Sequence, residues 1–263
     1  MFAIVKALTA APCRNRLEAL GWFLNHRFFD KRSELMLQLV ASGRRCTVPV
    51  DDIQTLVESL RLFTPGNPWE KWTPAEAPMR VIDLGGNMGL SSLYFSVRFP
   101  KARIVTVEMM PENAAAIKRL VALNGLSVEV HNIAVGSTDG LATVQLNTSH
   151  SRHRLALLKG HESAEACADM GFTEKTSSVA VSRLDTLIGK LGWPSVDLMK
   201  VDIEGSEQLL LDDIEGWAPL VRTVFVEIHH NVDPGKAEAT MTAHSFRKIG
   251  QDLRDRTELW FSK

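Results

Sequence analysis

A glycine-rich turn between a short apolar run and a helix-like segment constrains this chain most. Residues 83–89 read DLGGNMG, after the apolar run 79–82 and before the segment 90–95. In α/β proteins, this succession of strand, glycine turn and helix brings backbone close to a bound nucleotide. Glu108 ends the next apolar run, 19 positions after Gly89. Nucleotide-binding folds place the acid that binds ribose hydroxyls at this distance.

The glycine spacing and the preceding acid favour S-adenosylmethionine over a dinucleotide. Pyrophosphates are bound by G-x-G-x-x-G, whereas this turn has Gly85, Gly86 and then Gly89. Asp83 would repel a pyrophosphate, but it suits the amino group and the sulfonium of S-adenosylmethionine, which has no phosphate. The sequence therefore predicts this cofactor. A nicotinamide or flavin dinucleotide, and a fold that has lost its ligand, are the alternatives.

Several motifs resemble those of the FkbM family of S-adenosylmethionine-dependent methyltransferases. The resemblance covers residues 80 to 230 and rests on VIDLGGNMG (81–89), VE (107–108), NIAVG (132–136), LDTL (184–187) and VDLMKVDIEGSE (196–207). The D-x-E-G-x-E part of the last motif is the most distinctive. The resemblance implies a class I, Rossmann-like methyltransferase. Residues 1–75 and those after 230 contain no motif of this kind.

Alternating strand and helix patterns predict a doubly wound, mostly parallel α/β sheet. The predicted strands are 81–83, 103–107, 128–132, 141–146, 178–181, 196–201, 223–228 and 258–261, with a helix over 241–253. Residues 1–75 are predicted to be an N-terminal helical extension, ending at the breaker-rich segment 64–68. Residues 76–263 are predicted to be the methyltransferase domain, and the polar segment 147–178 a substrate-facing loop.

Polar residues follow several of these strands, at the sheet edge where such folds bind ligands. Asp83 is expected to meet the amino group of the cofactor directly or through water, Glu108 the ribose hydroxyls, and residues 132–134 the adenine edge. The predicted cofactor-binding residues are Asp83, Gly85, Gly86, Asn87, Met88, Gly89, Glu108, Met109, Asn132, Ile133, Ala134 and Asp202.

The predicted catalytic residues are Asp202, Glu204, His229 and Lys200. One carboxylate would orient or deprotonate the acceptor, although Glu204 could instead cap the following helix. His229, next to His230, would act as general base, unless it is an ordinary surface or core histidine. Lys200 would point towards the sheet edge or pair with a carboxylate, and Glu207 is expected to be structural.

A metal site is considered but not predicted. Asp202, Glu204, Glu227 and His229 offer the oxygen and nitrogen atoms that bind Mg²⁺ or Mn²⁺. Nothing in their spacing requires a metal, so the prediction for bound metals is none.

Composition restricts the possible partners and location. The chain has 263 residues, is 45% hydrophobic, and has a net charge of −1. A near-neutral net charge offers no basic surface for nucleic acid, which disfavours DNA or RNA as a partner. Cys13, Cys46 and Cys167 are too widely spaced for a metal or disulfide framework, which favours a cytoplasmic location. No run reaches the ~18 apolar residues of a membrane span. Residues 1–12 are expected to form an amphipathic helix rather than a signal peptide, and to pack on the domain or in a homodimer.

The resemblance implies O-methylation of a hydroxyl on a sugar, glycolipid or polyketide-type compound. The predicted partner is therefore a small-molecule or glycosyl acceptor, and the basic residues 152–154 could recognise an acidic or phosphorylated glycosyl group. Methylation of nitrogen or of a carboxylate is the alternative within enzymes. A non-catalytic protein that binds S-adenosylmethionine and interacts through its N-terminal helices is the alternative outside them.

Overall fold

The computed structural model describes residues 2–29, 33–74, 76–147, 154–155, 172–229, 232–253 and 257–263. The described helices are α1 (Phe2–Ala10), α2 (Arg16–Phe29), α3 (Ile53–Phe63), α4 (Pro68–Trp72), α5 (Leu90–Arg98), α6 (Pro111–Leu123), α7 (Leu184–Lys190), α8 (Glu207–Asp212), α9 (Ile214–Trp217) and α10 (Pro234–Ala243). The described strands are β1 (Leu35–Ala41), β2 (Arg44–Val50), β3 (Arg80–Leu84), β4 (Arg103–Val107), β5 (Val128–His131), β6 (Ala134–Val135), β7 (Gly140–Asn147), β8 (Arg154–Leu155), β9 (Phe172–Ser182), β10 (Val196–Val201), β11 (Val221–Ile228), β12 (Arg247–Asp252) and β13 (Thr257–Ser262).

A seven-stranded sheet in the order β12-β13-β11-β10-β3-β4-β5 forms the centre of the structure. Strands β11, β10, β3, β4 and β5 are parallel, whereas β13 and β12 are antiparallel to their neighbours. This confirms the prediction of a doubly wound, mostly parallel α/β fold. The chain places β4 and β5 on one side of β3 and then returns to place β10 and β11 on the other. The carboxyl ends of β3 and β10 therefore flank the topological switch point, where such sheets bind ligands.

Residues 35–50 form a β-hairpin, so the prediction that the whole of residues 1–75 is helical is wrong for this segment. Leu35, Leu37 and Leu39 are at most 2% exposed and alternate with half-buried residues. A spacing of two suits a strand, because successive strand side chains point to opposite faces. Ser42 and Gly43 both have positive φ and form a two-residue turn, a type whose twist matches that of the paired strands.

The N-terminal segment packs directly against the sheet. Leu56 and Leu60 of α3 are fully buried in the same apolar core as Val81 of β3 and Leu93 of α5. Asp52, the residue before α3, caps the helix by accepting a hydrogen bond of 2.6 Å from the backbone N–H of Thr55. The N-terminal segment thus shares a core with the central sheet, and α3 and α4 lie close to the switch point.

The C-terminal residues complete the sheet, so the predicted helix over 241–253 is wrong in its placement. The helix is α10, which begins after the cap Asp233 and ends at Ala243. The next residues form β12, which pairs with β13, and β13 pairs with β11. The predicted last strand, 258–261, is confirmed within β13. Residues 247–252 contain few apolar residues, so they show no alternation of apolar and polar residues that would predict this edge strand.

A second sheet, in the order β6-β9-β7-β8, lies beside the site. Its strands β7 and β9 confirm and extend the predicted strands 141–146 and 178–181. The predicted loop 147–178 is therefore partly strand, since β9 begins at residue 172. Its polar residues His150, Arg152, His153, His161 and Glu162 lie outside the described residues, as do Cys167 and His230.

Within the described residues, no helix combines the length and apolarity needed to cross a membrane. The cytoplasmic location and the homodimer remain predictions. α1 packs on α2 and α3 in the same core, so at least one face of this helix is covered by the chain itself.

We expect Asp197→Asn to lower the free energy of unfolding by about 1–2 kcal/mol at neutral pH. The carboxylate accepts hydrogen bonds from the backbone N–H groups of Met79 and Arg80 and from the Arg80 guanidinium, tying β10 to the start of β3. Burial opposes ionisation, but these donors hold the pKa of Asp197 below its usual value. Urea unfolding of the variant and of an Asp51→Asn control would measure the effect.

The sign of the pH dependence follows from the lowered pKa. The stabilisation is present above the unfolded pKa of about 3.9 and is lost as pH falls through the lower folded value. The difference between wild type and Asp197→Asn should therefore hold from pH 8 to pH 5 and shrink in stronger acid. A difference that grows towards low pH would contradict this assignment.

Candidate functional site

The glycine turn after β3 lies against the backbone that follows β10. Gly85 has φ of +78°, and a Cβ at this position would lie 1.7 Å from the carbonyl oxygen of Asp202. The N–H groups of Gly85 and Gly86 donate to the carbonyl of Val107 at 3.0 and 3.1 Å, which ties the turn to β4. Only glycine permits this approach, because any side chain at residue 85 would overlap backbone. The turn therefore joins three strand ends at the switch point.

The buried side chain of Lys200 contacts the glycine turn and the ends of β3 and β10. Its Nζ donates to the carbonyl oxygen of Gly85 at 2.9 Å and lies 3.3 Å from Asp83 Oδ1 and 3.2 Å from Asp202 Oδ2. Burial of Lys200 favours the neutral amine, but the carboxylates of Asp202 and Asp83 outweigh it and raise the pKa of Lys200. Lys200 is therefore a charged ion-pair partner, which is one of its two predicted roles.

Asp83 has no exposed surface, and its Oδ2 accepts hydrogen bonds of 2.6 Å from the hydroxyls of Ser91 and Ser92. These contacts anchor the start of α5 to β3. The full burial of Asp83 disfavours a direct contact with the cofactor amino group, and the expected contact, directly or through water, stays a prediction. Asp83 instead positions the glycine turn through Lys200.

A first cleft of about 600 Å³ opens between the ends of β3, β4 and β10. It is lined by Gly85, Asn87, Val107, Glu108, Met109, Met110, Asn113, Ile133, Ala134, Val135, Asp202, Ile203, Glu204 and Ser206. Most of the residues predicted to bind the cofactor are brought together here. Asn132 is not in the lining, because its side chain donates to the carbonyls of Glu108 and Met109 and braces that backbone. Met110 and Asn113 belong to no motif that sequence reasoning could use, whereas Ser206 lies within the motif 196–207 but is not among the predicted site residues.

Glu108 is the most constrained acid of the first cleft. It is 6% exposed, and its oxygens accept hydrogen bonds of 2.8 Å from the N–H groups of Asn87 and Met110. Burial raises the pKa of Glu108, although these two donors act in the opposite direction. A carboxylate offers about four acceptor sites, so both oxygens can each accept one more hydrogen bond. Glu108 is thus fixed in orientation and able to bind a pair of hydroxyls.

A second cleft of about 710 Å³ lies on the other side of the glycine turn. It is lined by Thr55, Glu58, Arg61, Leu62, Asn67, Trp69, Gly85, Gly86, Asn87, Met88, Leu90, Ser91, Lys200, Asp202, Glu227 and Glu258. The wall from α3 and α4 was missed by sequence reasoning, because residues 1–75 have no recognisable motif. The two clefts share Gly85, Asn87 and Asp202.

His229 lies among carboxylates at the ends of β10 and β11. Its Nδ1 lies 2.9 Å from Glu207 Oε1, and its Nε2 lies 3.3 Å from Glu204 Oε2. Asp202 and Glu227 are within 3.9 and 3.8 Å of Nε2. Glu207 also accepts from the N–H groups of Ile203 and Gly205, so its predicted structural role agrees with its contacts.

The charges in this group shift its proton affinities. Burial favours a neutral imidazole, but the Glu207 hydrogen bond and the surrounding carboxylates raise the pKa of His229 to about 10. Burial and the charge of Asp202 raise the pKa of Glu204 to about 8, against the opposite effect of His229. The raised pKa favours the protonated form of His229, and a protonated imidazole cannot accept a further proton. The role of His229 as general base remains a prediction.

The fold and site agree with the comparison to known families. The model of the methyltransferase FkbM domain matches residues 83–251, and the chain belongs to this family. The resemblance in the sequence motifs is thereby confirmed, as are the methyltransferase class and S-adenosylmethionine as the cofactor. The roles of individual site residues remain proposals.

Curated relatives show the same likeness at low identity. Methyltransferase 1 of Beauveria bassiana is 26% identical over 159 residues, which cover 56% of this chain and 64% of that protein. The 31-O-demethyl-FK506 methyltransferase FkbM of Streptomyces tacrolimicus is 26% identical over 193 residues, which cover 65% and 74%. The ribosomal protein L11 methylase structure from Lactobacillus delbrueckii subsp. bulgaricus is 14% identical, with a TM-score of 0.43 over 73% of each chain. The chain thus spans less than two thirds of the Beauveria protein.

We expect Lys200→Met to lower the free energy of unfolding by about 3–5 kcal/mol, because it leaves the buried Asp83 without its cation. Asp83→Asn combined with Lys200→Met should recover part of this loss. Urea unfolding of the single and double variants would measure the coupling. Lys248→Met, which removes a half-buried lysine paired with Glu238, is the control. A loss no larger than that of the control would contradict the proposed role of Lys200.

Proposed function

We propose that this protein transfers the methyl group of S-adenosylmethionine to a hydroxyl group, with the cofactor in the first cleft and the acceptor in the second. The observation that carries this proposal is that the two clefts meet at Gly85, Asn87 and Asp202, on the topological switch point. A methyl group needs to move only across such a junction. Family membership supports the reaction class.

The lining of the first cleft suits each part of the cofactor. The two oxygens of Glu108 would accept hydrogen bonds from the ribose hydroxyls while keeping their backbone donors. Met109, Ile133 and Ala134 would contact the adenine with apolar surface. The methionine part would lie along the backbone of Gly85, where the absence of a side chain allows close approach. The carboxylate of Asp202 would favour a cationic sulfonium over the neutral product.

Alignment is the main task of such an enzyme, since the sulfonium methyl is already activated. The C–O bond forms as the C–S bond breaks, S-adenosylhomocysteine leaves, and the acceptor hydroxyl gives up its proton. Asp202 is the carboxylate that lines both clefts, so we assign it the orientation of the hydroxyl and the acceptance of its proton. Proton transfer of this kind raises the reaction rate by about 10²–10⁴-fold. Positioning of the acceptor adds to this effect.

Oxygen is the favoured acceptor atom for two reasons. The sequence resemblance implies hydroxyl acceptors, and the Streptomyces relative is named for methylation at an oxygen. The second cleft combines Trp69 with several carboxylates and Arg61. This mixture suits an acceptor with both apolar surface and hydroxyl groups, such as a sugar, glycolipid or polyketide-type compound.

We expect Glu108→Gln to weaken S-adenosylmethionine binding by roughly 10–100-fold, since a hydrogen bond to a charged group contributes about 1.5–3 kcal/mol. Isothermal titration calorimetry of the wild type and the variant would measure the dissociation constants. Glu112→Gln, an exposed acid at the start of α6, is the matched control and should bind like the wild type. Wild-type protein that is folded but does not bind S-adenosylmethionine would refute the proposed function.

An acceptor screen would then separate hydroxyl methylation from its rivals. Release of S-adenosylhomocysteine with a glycosyl or polyketide alcohol, lost when its hydroxyls are masked, is the expected result. Turnover that survives masking would indicate nitrogen or carboxylate methylation. Cofactor binding without turnover on any acceptor class would favour the non-catalytic alternative.

A further inference from the structure

We propose that Asp202, Glu227 and His229 bind a divalent cation of the Mg²⁺ or Mn²⁺ type where the two clefts meet. One ligand atom from each residue lies within 4.8 Å of the other two. His229 Nε2 is 3.9 Å from Asp202 Oδ1 and 3.8 Å from Glu227 Oε1. In an octahedral site with bonds of about 2.1 Å, neighbouring ligand atoms are about 3.0 Å apart and opposite ones about 4.2 Å. These two separations lie between the adjacent and the opposite distances, so small side-chain shifts would bring the ligand atoms onto one ion.

The orientation of the His229 ring supports this assignment independently. Glu207, on α8, lies 2.9 Å from Nδ1 and is itself held by the N–H groups of Ile203 and Gly205. Metal-binding histidines are typically fixed in this way, by a carboxylate at the ring nitrogen that does not touch the metal. Nε2 is thereby directed towards Asp202 and Glu227.

A buried acceptor atom also points to a missing positive charge. Glu207 is 1% exposed, and its second oxygen, Oε2, accepts no hydrogen bond from the described residues. Three further carboxylates, Asp202, Glu204 and Glu227, lie within 3.9 Å of His229 Nε2. Buried carboxylates are costly unless cations neutralise them. A divalent cation bound by Nε2, Asp202 and Glu227 would place positive charge beside these carboxylates.

The ligand atoms of the site determine which cation it prefers, and its position determines what the cation can do to the acceptor. Two carboxylates and one imidazole favour Mg²⁺ or Mn²⁺ over metals that prefer sulfur ligands. Asp202 and Glu227 both line the second cleft, so the remaining coordination positions face the acceptor. A hydroxyl bound there would be oriented and made more acidic by the cation. This use rests on the proposed function, whereas cation binding itself does not.

Mn²⁺ is a suitable probe because it reports the same oxygen-rich sites as Mg²⁺ and is detected by electron paramagnetic resonance. The full chain should bind one Mn²⁺ with a saturable isotherm, and excess Mg²⁺ should displace it. We expect Glu227→Gln and His229→Gln each to weaken binding by at least tenfold. Glu238→Gln, which removes an acid on α10 outside both clefts, should leave it unchanged.

Circular dichroism and the melting temperature would establish that each variant is folded. If His229→Gln does not fold, Glu227→Gln alone decides. Absence of saturable Mn²⁺ binding to the folded wild type, or equal binding by the wild type and Glu227→Gln, would overturn the proposal. S-adenosylmethionine binding measured without added metal reports the proposed function separately, so failure of either inference is recognised on its own.

Discussion

The buried ammonium group of Lys200 is the interaction on which the site depends. It joins Asp83 at the end of β3, the carbonyl of Gly85 in the glycine turn, and Asp202 after β10. Burying the charge of Asp83, which has no exposed surface, would be costly without a cation. The ion pairs therefore fix the relative positions of two strand ends and the turn between them, and the two clefts form on either side of that fixed point.

The two clefts have different walls, and we assign cofactor binding to the first cleft and acceptor binding to the second. Glu108 and the apolar residues near β4 and β6 form a wall whose acid is already oriented by backbone N–H groups. On the opposite side, α3 and α4 supply a wall that belongs to no recognised motif. The N-terminal segment shares its core with β3 and α5. Residues of α3 and α4 line the second cleft and not the first. A change in these residues can therefore alter the second cleft without disturbing the first, which would allow related chains to accept different substrates.

The sequence indicated the central sheet and much of the site because both follow local rules. The glycine turn and the D-x-E-G-x-E motif are short, and the parallel strands are apolar enough to be recognised. The hairpin at 35–50 was not predicted because the alternation of Leu35, Leu37 and Leu39 covers only five residues. So short a pattern does not distinguish a strand from an irregular helix. The edge strand β12 was missed because pairing with β13, rather than its own residues, makes it a strand. The burial of Asp83 and the raised pKa of His229 depend on groups distant in sequence, so no local pattern reports them.

A crystal structure of the complex with S-adenosylhomocysteine would test the central claim most directly. The account predicts that both ribose hydroxyls lie within about 3 Å of the Glu108 carboxylate. It also predicts that the homocysteine part lies along Gly85 and that its sulfur faces the junction with the second cleft. A nucleoside bound elsewhere, with Glu108 touching only the N–H groups of Asn87 and Met110, would contradict the account.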